Sequence, residues 1–141
     1  MKYKKKYGWL ILLAIVIIAG LYAYREYNRK PADLSTVDSQ IKISADSLVI
    51  KFEKDEQKAN LLYLGKPIEV TGLIAEINNQ QDTLVTIALG KKEDMHKVSC
   101  LLDANHTNEI KRYKVGDNIM LRGICNGYLL DVELNRCVII K

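Results

Sequence analysis

The sequence predicts a mainly β protein: a small five-stranded closed barrel, preceded by one or two short helices and an N-terminal transmembrane helix. Three observations point there. An uncharged run of 18 residues separates Lys6 from Arg25; the apolar period changes from helical to two after Gly65; and two short alternating stretches, "KPIEVTGLI" and "KVGDNIMLRGI", each carry a glycine in mid-strand. The chain has 141 residues, enough for one domain with appendages.

The N-terminal run "YGWLILLAIVIIAGLYAY" would span roughly 27 Å as a helix, close to the ~30 Å hydrocarbon core. Tyr7 and Trp9 stand at one end, and Tyr22, Tyr24 and Tyr27 at the other, as expected at two membrane interfaces. The region "AGLYAYRE" lacks a small-residue cleavage site, and no Cys follows it to take a lipid. An uncleaved signal anchor over residues 7–27, contacting the lipid bilayer, is therefore expected, with the mature chain beginning at Met1. Lys2, Lys4, Lys5 and Lys6 form a basic tail over residues 1–6, whereas Glu26 dilutes Arg25, Arg29 and Lys30 on the far side. The basic-residue bias places the N-terminus in the cytoplasm and the barrel outside it, in the cell (inner) membrane.

Charge is segregated. Residues 1–30 carry +6, residues 31–65 carry −2 and residues 66–141 are neutral, with ten basic and ten acidic side chains. The net charge of +4 is thus a property of the anchor and not of the barrel, and argues against a nucleic-acid footprint there.

Pro31 ends any helix leaving the membrane, and residues 28–43, including "PADLSTVDSQ", read as a polar linker. The globular domain is expected over residues 44–141. Ser44 is a suitable N-cap for a helix whose apolar face carries Leu48, Val49 and Phe52, and Asp55 for a second one with Ala59, Leu62 and Tyr63. Gly65 is the stop signal.

The first strand carries Ile68, Val70, Gly72 and Ile74, and "NNQQ" (Asn78–Gln81) reads as a turn. Leu84 to Leu89 forms the second strand, "GKKEDMH" a charged loop, and Val98, Cys100 and Leu102 mark the third. A short helix is expected around Ile110 and Tyr113, then a turn at Gly116-Asp117. Ile119, Leu121 and Gly123 mark the fourth strand. Asn126-Gly127 is the strongest hairpin signal, followed by a fifth strand through Leu130, Val132 and Leu134 towards Ile140. Three strands, a helical insertion and two strands is the order of the OB-fold, a five-stranded Greek-key barrel. Gly72 and Gly123 permit the sharp bends and close backbone approach such a barrel requires.

The run "FEKDEQKANLLYLGKPIEVTGLI", then "VSCLL", then "YKVGDNIMLRGICNGYLLDVELNRCVI" resembles the tRNA_anti-like group of bacterial OB-fold domains over roughly residues 45–141. The resemblance rests on Ala59-Asn60 and Tyr63-x-Gly65-Lys66 before the first strand, Gly116-Asp117 before the fourth, and Cys100, Cys125 and Cys137. It implies the fold and no catalytic residues.

No nucleophile motif, phosphate loop or carboxylate pair in a recognisable context is present, so no enzyme activity and no cofactor are expected. His96, Cys100 and His106 match no zinc spacing, and no metal site is expected. Asp131 and Glu133 read as a solvated strand face. Three cysteines outside the cytoplasm suggest one disulfide and one leftover thiol, with three reduced buried thiols as the alternative. If Asn126-Gly127 is the hairpin, Cys125 lies opposite about Tyr128 and far from Cys137, which leaves Cys100 as the better partner of Cys137. The expected strands 68–77 and 84–89 bear no aromatic ring to stack a base. Together these readings predict a binding or scaffolding module contacting a protein or an oligosaccharide in the cell envelope. A nucleic-acid binder is the alternative.

Overall fold

The computed structural model describes residues 4–28, 34–36, 39–80 and 84–140. Lys2, Arg29, Lys30, Pro31 and Gln81, each given a role by the sequence, lie outside the described residues. The chain forms two compact units, residues 1–32 and 33–141.

The first unit is a single helix, α1 (Lys4–Tyr27), of 24 residues. Its segment Gly8–Tyr27 is apolar and long enough to cross a membrane, the composition that a signal sequence shares.

The second unit contains β1 (Ile41–Ser44), α2 (Ala45–Lys54), α3 (Glu56–Tyr63), β2 (Pro67–Gln80), β3 (Leu84–Leu89), β4 (Val98–Leu102), a 3₁₀ turn (Thr107–Arg112), β5 (Asn118–Tyr128) and β6 (Val132–Ile140). Strands β2 to β6 are the five strands read from the sequence. The sheet runs β1-β2-β3-β4-β6-β5, and pairing of β2 with β5 closes it into the barrel. Strands β4 and β6 are parallel neighbours, which places the last strand between the third and fourth barrel strands. Inward positions alternate strictly in β3 and β4: Val85, Ile87 and Leu89, then Val98, Cys100 and Leu102.

The caps act locally as the sequence requires. Ser44 Oγ accepts the Ser47 N–H at 3.3 Å, and Asp55 Oδ1 accepts the Lys58 N–H at 2.9 Å. Helix α2 then buries Ala45, Leu48, Val49 and Phe52 in the barrel core, where the Phe52 ring lies 5.8 Å from Tyr128 and 6.1 Å from Tyr63.

Gly72 and Gly123 serve close approach. A Cβ on Gly123 would stand 2.5 Å from Cys137 Sγ, and one on Gly72 would stand 2.9 Å from the Ala45 Cβ at the start of α2. Gly65, by contrast, takes φ +72°, a left-handed turn where α3 hands over to β2.

Three features differ from the sequence expectation. Residues 41–43, expected in the linker, form β1 together with the N-cap Ser44, and this strand pairs in parallel with Ile68–Thr71, the part of β2 that β3 does not reach. The stretch "IKIS" alternates, but four residues beside a polar run give a weak signal. Second, β2 continues through Asn78 and Asn79 to Gln80, beyond the start of the expected turn. Third, Asn126-Gly127 is not the hairpin. Strand β5 runs on to Tyr128, the chain reverses over residues 129–131, and Cys125 pairs with Leu134. Gly127, at φ +114°, lies where the register shifts between Cys125 and Gly127, because a positive-φ glycine suits a bulge as well as a turn. Leu130, expected in the fifth strand, is instead exposed in this reversal. A second bulge, in β6, holds Arg136 at φ +56° and turns Cys137 into the core.

Candidate binding face

The open outer wall of the barrel is built from the side chains that alternate away from the core. On β3 these are Leu84, Thr86 and Ala88; on β4 they are Ser99 and Leu101. Thr86 pairs with Leu101 and Ala88 with Ser99. The small pair Ala88–Ser99 keeps the floor low, and Glu76 and Asn78 of β2 and Asp131 of the β5–β6 turn complete the lining. The result is a groove of about 310 Å³. Among the described residues its lining has two carboxylates, four aliphatic or hydroxyl positions on the two central strands besides Ala88, and neither a cation nor a ring. Asp131 Oδ1 accepts the Lys97 N–H at 2.8 Å. The neighbouring turn residues Leu129 and Leu130 are both exposed.

Sequence alternation puts Asp131 and Glu133 together on a solvated strand face. Asp131 instead fixes the turn, and Glu133 accepts a long 3.4 Å hydrogen bond from Asn126 Nδ2.

The opposite wall, where β2 meets β5, is closed. Glu69 and Arg122 are cross-strand partners that point outward, yet Glu69 is only 2% and Arg122 7% exposed. Arg122 donates to Glu69 Oε1 from Nη2 at 2.6 Å and from Nε at 3.1 Å. Arg122 Nη1 donates to the Leu34 carbonyl at 2.9 Å. Lys42 Nζ lies 3.1 Å from Glu69 Oε2, as an ion pair without hydrogen-bond alignment. Burial works to raise the Glu69 pKa, but the hydrogen bonds from Arg122 and the adjacent cations of Lys42 and Arg122 together outweigh it and hold the carboxyl below its ordinary value. Leu34 and Ser39 are buried over this wall, and Ser39 Oγ donates to the Pro67 carbonyl at 2.9 Å. No sequence pattern pairs Glu69 with Arg122, 53 residues apart.

Cys100, Cys125 and Cys137 are all buried free thiols in this structure. Cys137 faces Cys100 across β4–β6, and burial, followed by the Cys100 thiol beside it, pushes the Cys137 thiol well up. The Cys125 thiol is also raised by burial, partly offset by the Gly127 N–H. Cys125 sits opposite Leu134, three positions from Cys137, much nearer than a hairpin at Asn126-Gly127 would place it.

The three residues weighed as metal ligands are on separate elements. His96 Nδ1 is 2.6 Å from the Leu130 carbonyl, His106 Nδ1 is 2.7 Å from Glu109 Oε1, and Cys100 is in the core.

Among solved structures, a lipoprotein of Klebsiella pneumoniae subsp. pneumoniae, proposed to bind nucleic acid, superposes with a TM-score of 0.62 at 16% identity. The match covers 79% of this chain and 100% of that one. Asparaginyl-tRNA synthetase of Entamoeba histolytica gives a TM-score of 0.50 at 13% identity, over 74% of this chain and 24% of the synthetase. At these identities the likeness is one of fold. No curated protein matches the sequence. The strand order, the closed barrel and a match to the tRNA_anti-like family over residues 1–139 agree, and the chain belongs to that family.

Proposed function

We propose that this protein is a single-pass envelope protein, anchored by residues 7–27 with its N-terminus in the cytoplasm, whose barrel binds a polypeptide or an oligosaccharide in the groove on β3 and β4. Strands two and three of an OB-fold are its habitual binding face. The observation that carries the reading is the lining of that face. Stacking on rings and a basic track are what single-strand binding needs, each stacked base being worth ~1–3 kcal/mol. Glu76, Asp131, Leu84, Thr86 and Leu101 offer instead carboxylate acceptors and aliphatic contact. No catalytic step and no cofactor belong to this reading.

A nucleic-acid role is the second reading, and the Klebsiella relative favours it. Fluorescence anisotropy of the full chain in detergent with mixed-sequence oligonucleotides separates the two. Binding absent into the high micromolar range at ~150 mM salt fits the first reading. Saturable low-micromolar binding that weakens steeply with salt overturns it. A reporter fused to the C-terminus, active on one side of the membrane only, tests the topology.

A further inference from the structure

The two helices ahead of the barrel segregate charge. Lys51, Lys54, Asp55, Lys58, Ala59 and Leu62 line a cleft of about 270 Å³ between α2 and α3. The Asp55 carboxylate is engaged there in capping α3. Lys66 adds a fourth ammonium, donating to the carbonyls of Leu61 at 3.1 Å and Leu62 at 2.8 Å. Asp46 and Glu53 of α2 line a different cleft, beside His96, and the Glu56 charge is felt at Tyr128. Beside the lysines, Leu61 is 80%, Leu62 46% and Leu64 49% exposed. Aliphatic side chains ringed by ammonium groups are the composition of a surface that rests on anionic headgroups.

Within the second unit, Leu34 is buried on the barrel wall, and Ser39 Oγ donates to the carbonyl of Pro67, the residue after Lys66.

We infer that the lysine–leucine face of α2 and α3 lies on the anionic headgroup surface of the bilayer that holds the chain's own apolar helix. Leu61, Leu62 and Leu64 enter the headgroup boundary, and the ammonium groups of Lys51, Lys54 and Lys58 pair with lipid phosphates. The inference rests on the membrane-anchor reading above.

The test uses the full chain with its one tryptophan removed (Trp9→Phe) and a new one placed by Leu61→Trp on this face or by Leu84→Trp in the groove. Each protein is reconstituted into phosphatidylcholine–phosphatidylglycerol vesicles whose phosphatidylcholine chains are brominated. Flotation is read first and tryptophan quenching second, with circular dichroism reporting the fold. The expected result is flotation of both proteins, with quenching at position 61 at least ~2-fold stronger than at position 84. That excess should disappear in phosphatidylcholine alone, at ~0.5 M salt, or on reversing Lys51, Lys54 and Lys58 to Glu. Flotation with equal, weak quenching at both positions overturns the docking face and leaves the anchor standing. Failure to float overturns both. Quenching that survives the triple reversal, or that a single-stranded oligonucleotide relieves, also overturns the inference, the latter by giving the lysines to nucleic acid.

Discussion

The two walls of the barrel put their outward side chains to opposite uses. On the β2–β5 wall, Glu69 and Arg122 are outward in register but are covered by Leu34, Ser39 and Lys42 and withdrawn from solvent. On the β3–β4 wall, the outward residues Leu84, Thr86 and Leu101 remain uncovered and line a groove. The same alternation of a strand therefore gives a structural lock on one side and a binding face on the other. What separates them is whether a neighbouring segment has enough hydrogen-bonding partners to cover charged groups without orphaning them. Arg122 can be covered because Glu69 answers its charge and the Leu34 carbonyl takes one of its donors, while Lys42 pairs with the other Glu69 oxygen.

The largest effect is expected from breaking that lock. Arg122→Met leaves the Glu69 carboxylate buried with Lys42 as its remaining cation, and removing one partner of a buried pair costs about 3–5 kcal/mol. The urea midpoint of the purified chain should fall accordingly, and residues 34–44 should become sensitive to protease before the barrel does. The native pKa of Glu69 is depressed, so its contribution is present above the unfolded value of 4.5 and is lost as pH falls through the lower native value. Wild-type stability should thus drop in acid below about pH 4.5, and Arg122→Met should lose that part of the drop. A variant as stable as wild type at pH 7 would mean that the covered wall is not a lock.

A second test compares wall with interior. In an oxidising envelope the facing thiols Cys100 and Cys137 are expected to be the bridged pair, with Cys125 left free. A bridge of this loop length is worth about 2–4 kcal/mol. Non-reducing peptide mapping of protein from the membrane fraction decides the pairing, and any link to Cys125 refutes it. All three thiols are buried, so alkylation of reduced protein should require unfolding.

Next come the two glycines that looked alike in sequence. Gly123→Ala forces a Cβ to within 2.5 Å of Cys137 Sγ and 3.2 Å of the Leu134 Cβ, inside the barrel, and overpacking of this kind costs about 1–3 kcal/mol. Gly72→Ala meets the Ala45 Cβ at 2.9 Å. Ala45 opens α2, which can shift as a unit, so the smaller loss is expected there. Thermal unfolding of the two variants side by side checks the order.

Much of the lock and part of the groove are invisible in one dimension for identifiable reasons. The caps Ser44 and Asp55 and the inward rows of β3 and β4 are legible because their causes lie within a few residues. Strand β1 is not, because Ile41 and Ile43 gain their partner from β2, and two isoleucines beside a polar run carry little periodic signal. Glu69 reads as an ordinary solvated strand residue until Arg122 arrives from β5. Asn126-Gly127 misleads because the same positive φ serves a turn and a bulge, and only the register of β6 tells them apart. The lack of rings on the expected platform strands is readable directly, whereas the part of Asp131 in the groove depends on a turn that starts three residues later than the hairpin signal implies.

The smallest effect on stability is expected on the open wall, and there the consequence should fall on recognition. Thr86→Ala and Glu76→Lys remove no buried partner and fill no cavity, so each should shift the unfolding free energy by no more than about 0.5 kcal/mol. Glu76→Lys also changes the sign of charge in a groove whose other ionised group is Asp131. If the groove takes a polypeptide or an oligosaccharide, wild-type protein leaves oligonucleotide anisotropy flat at ~150 mM salt, and one added lysine without a stacking ring leaves it flat still, since a single phosphate contact releases too little counterion. If the groove is a nucleic-acid site, the wild type binds, and Glu76→Lys tightens binding with a salt slope steeper by about one. Measuring the slope as well as the affinity distinguishes a site that lacks only a charge from one that lacks the rings to hold a base.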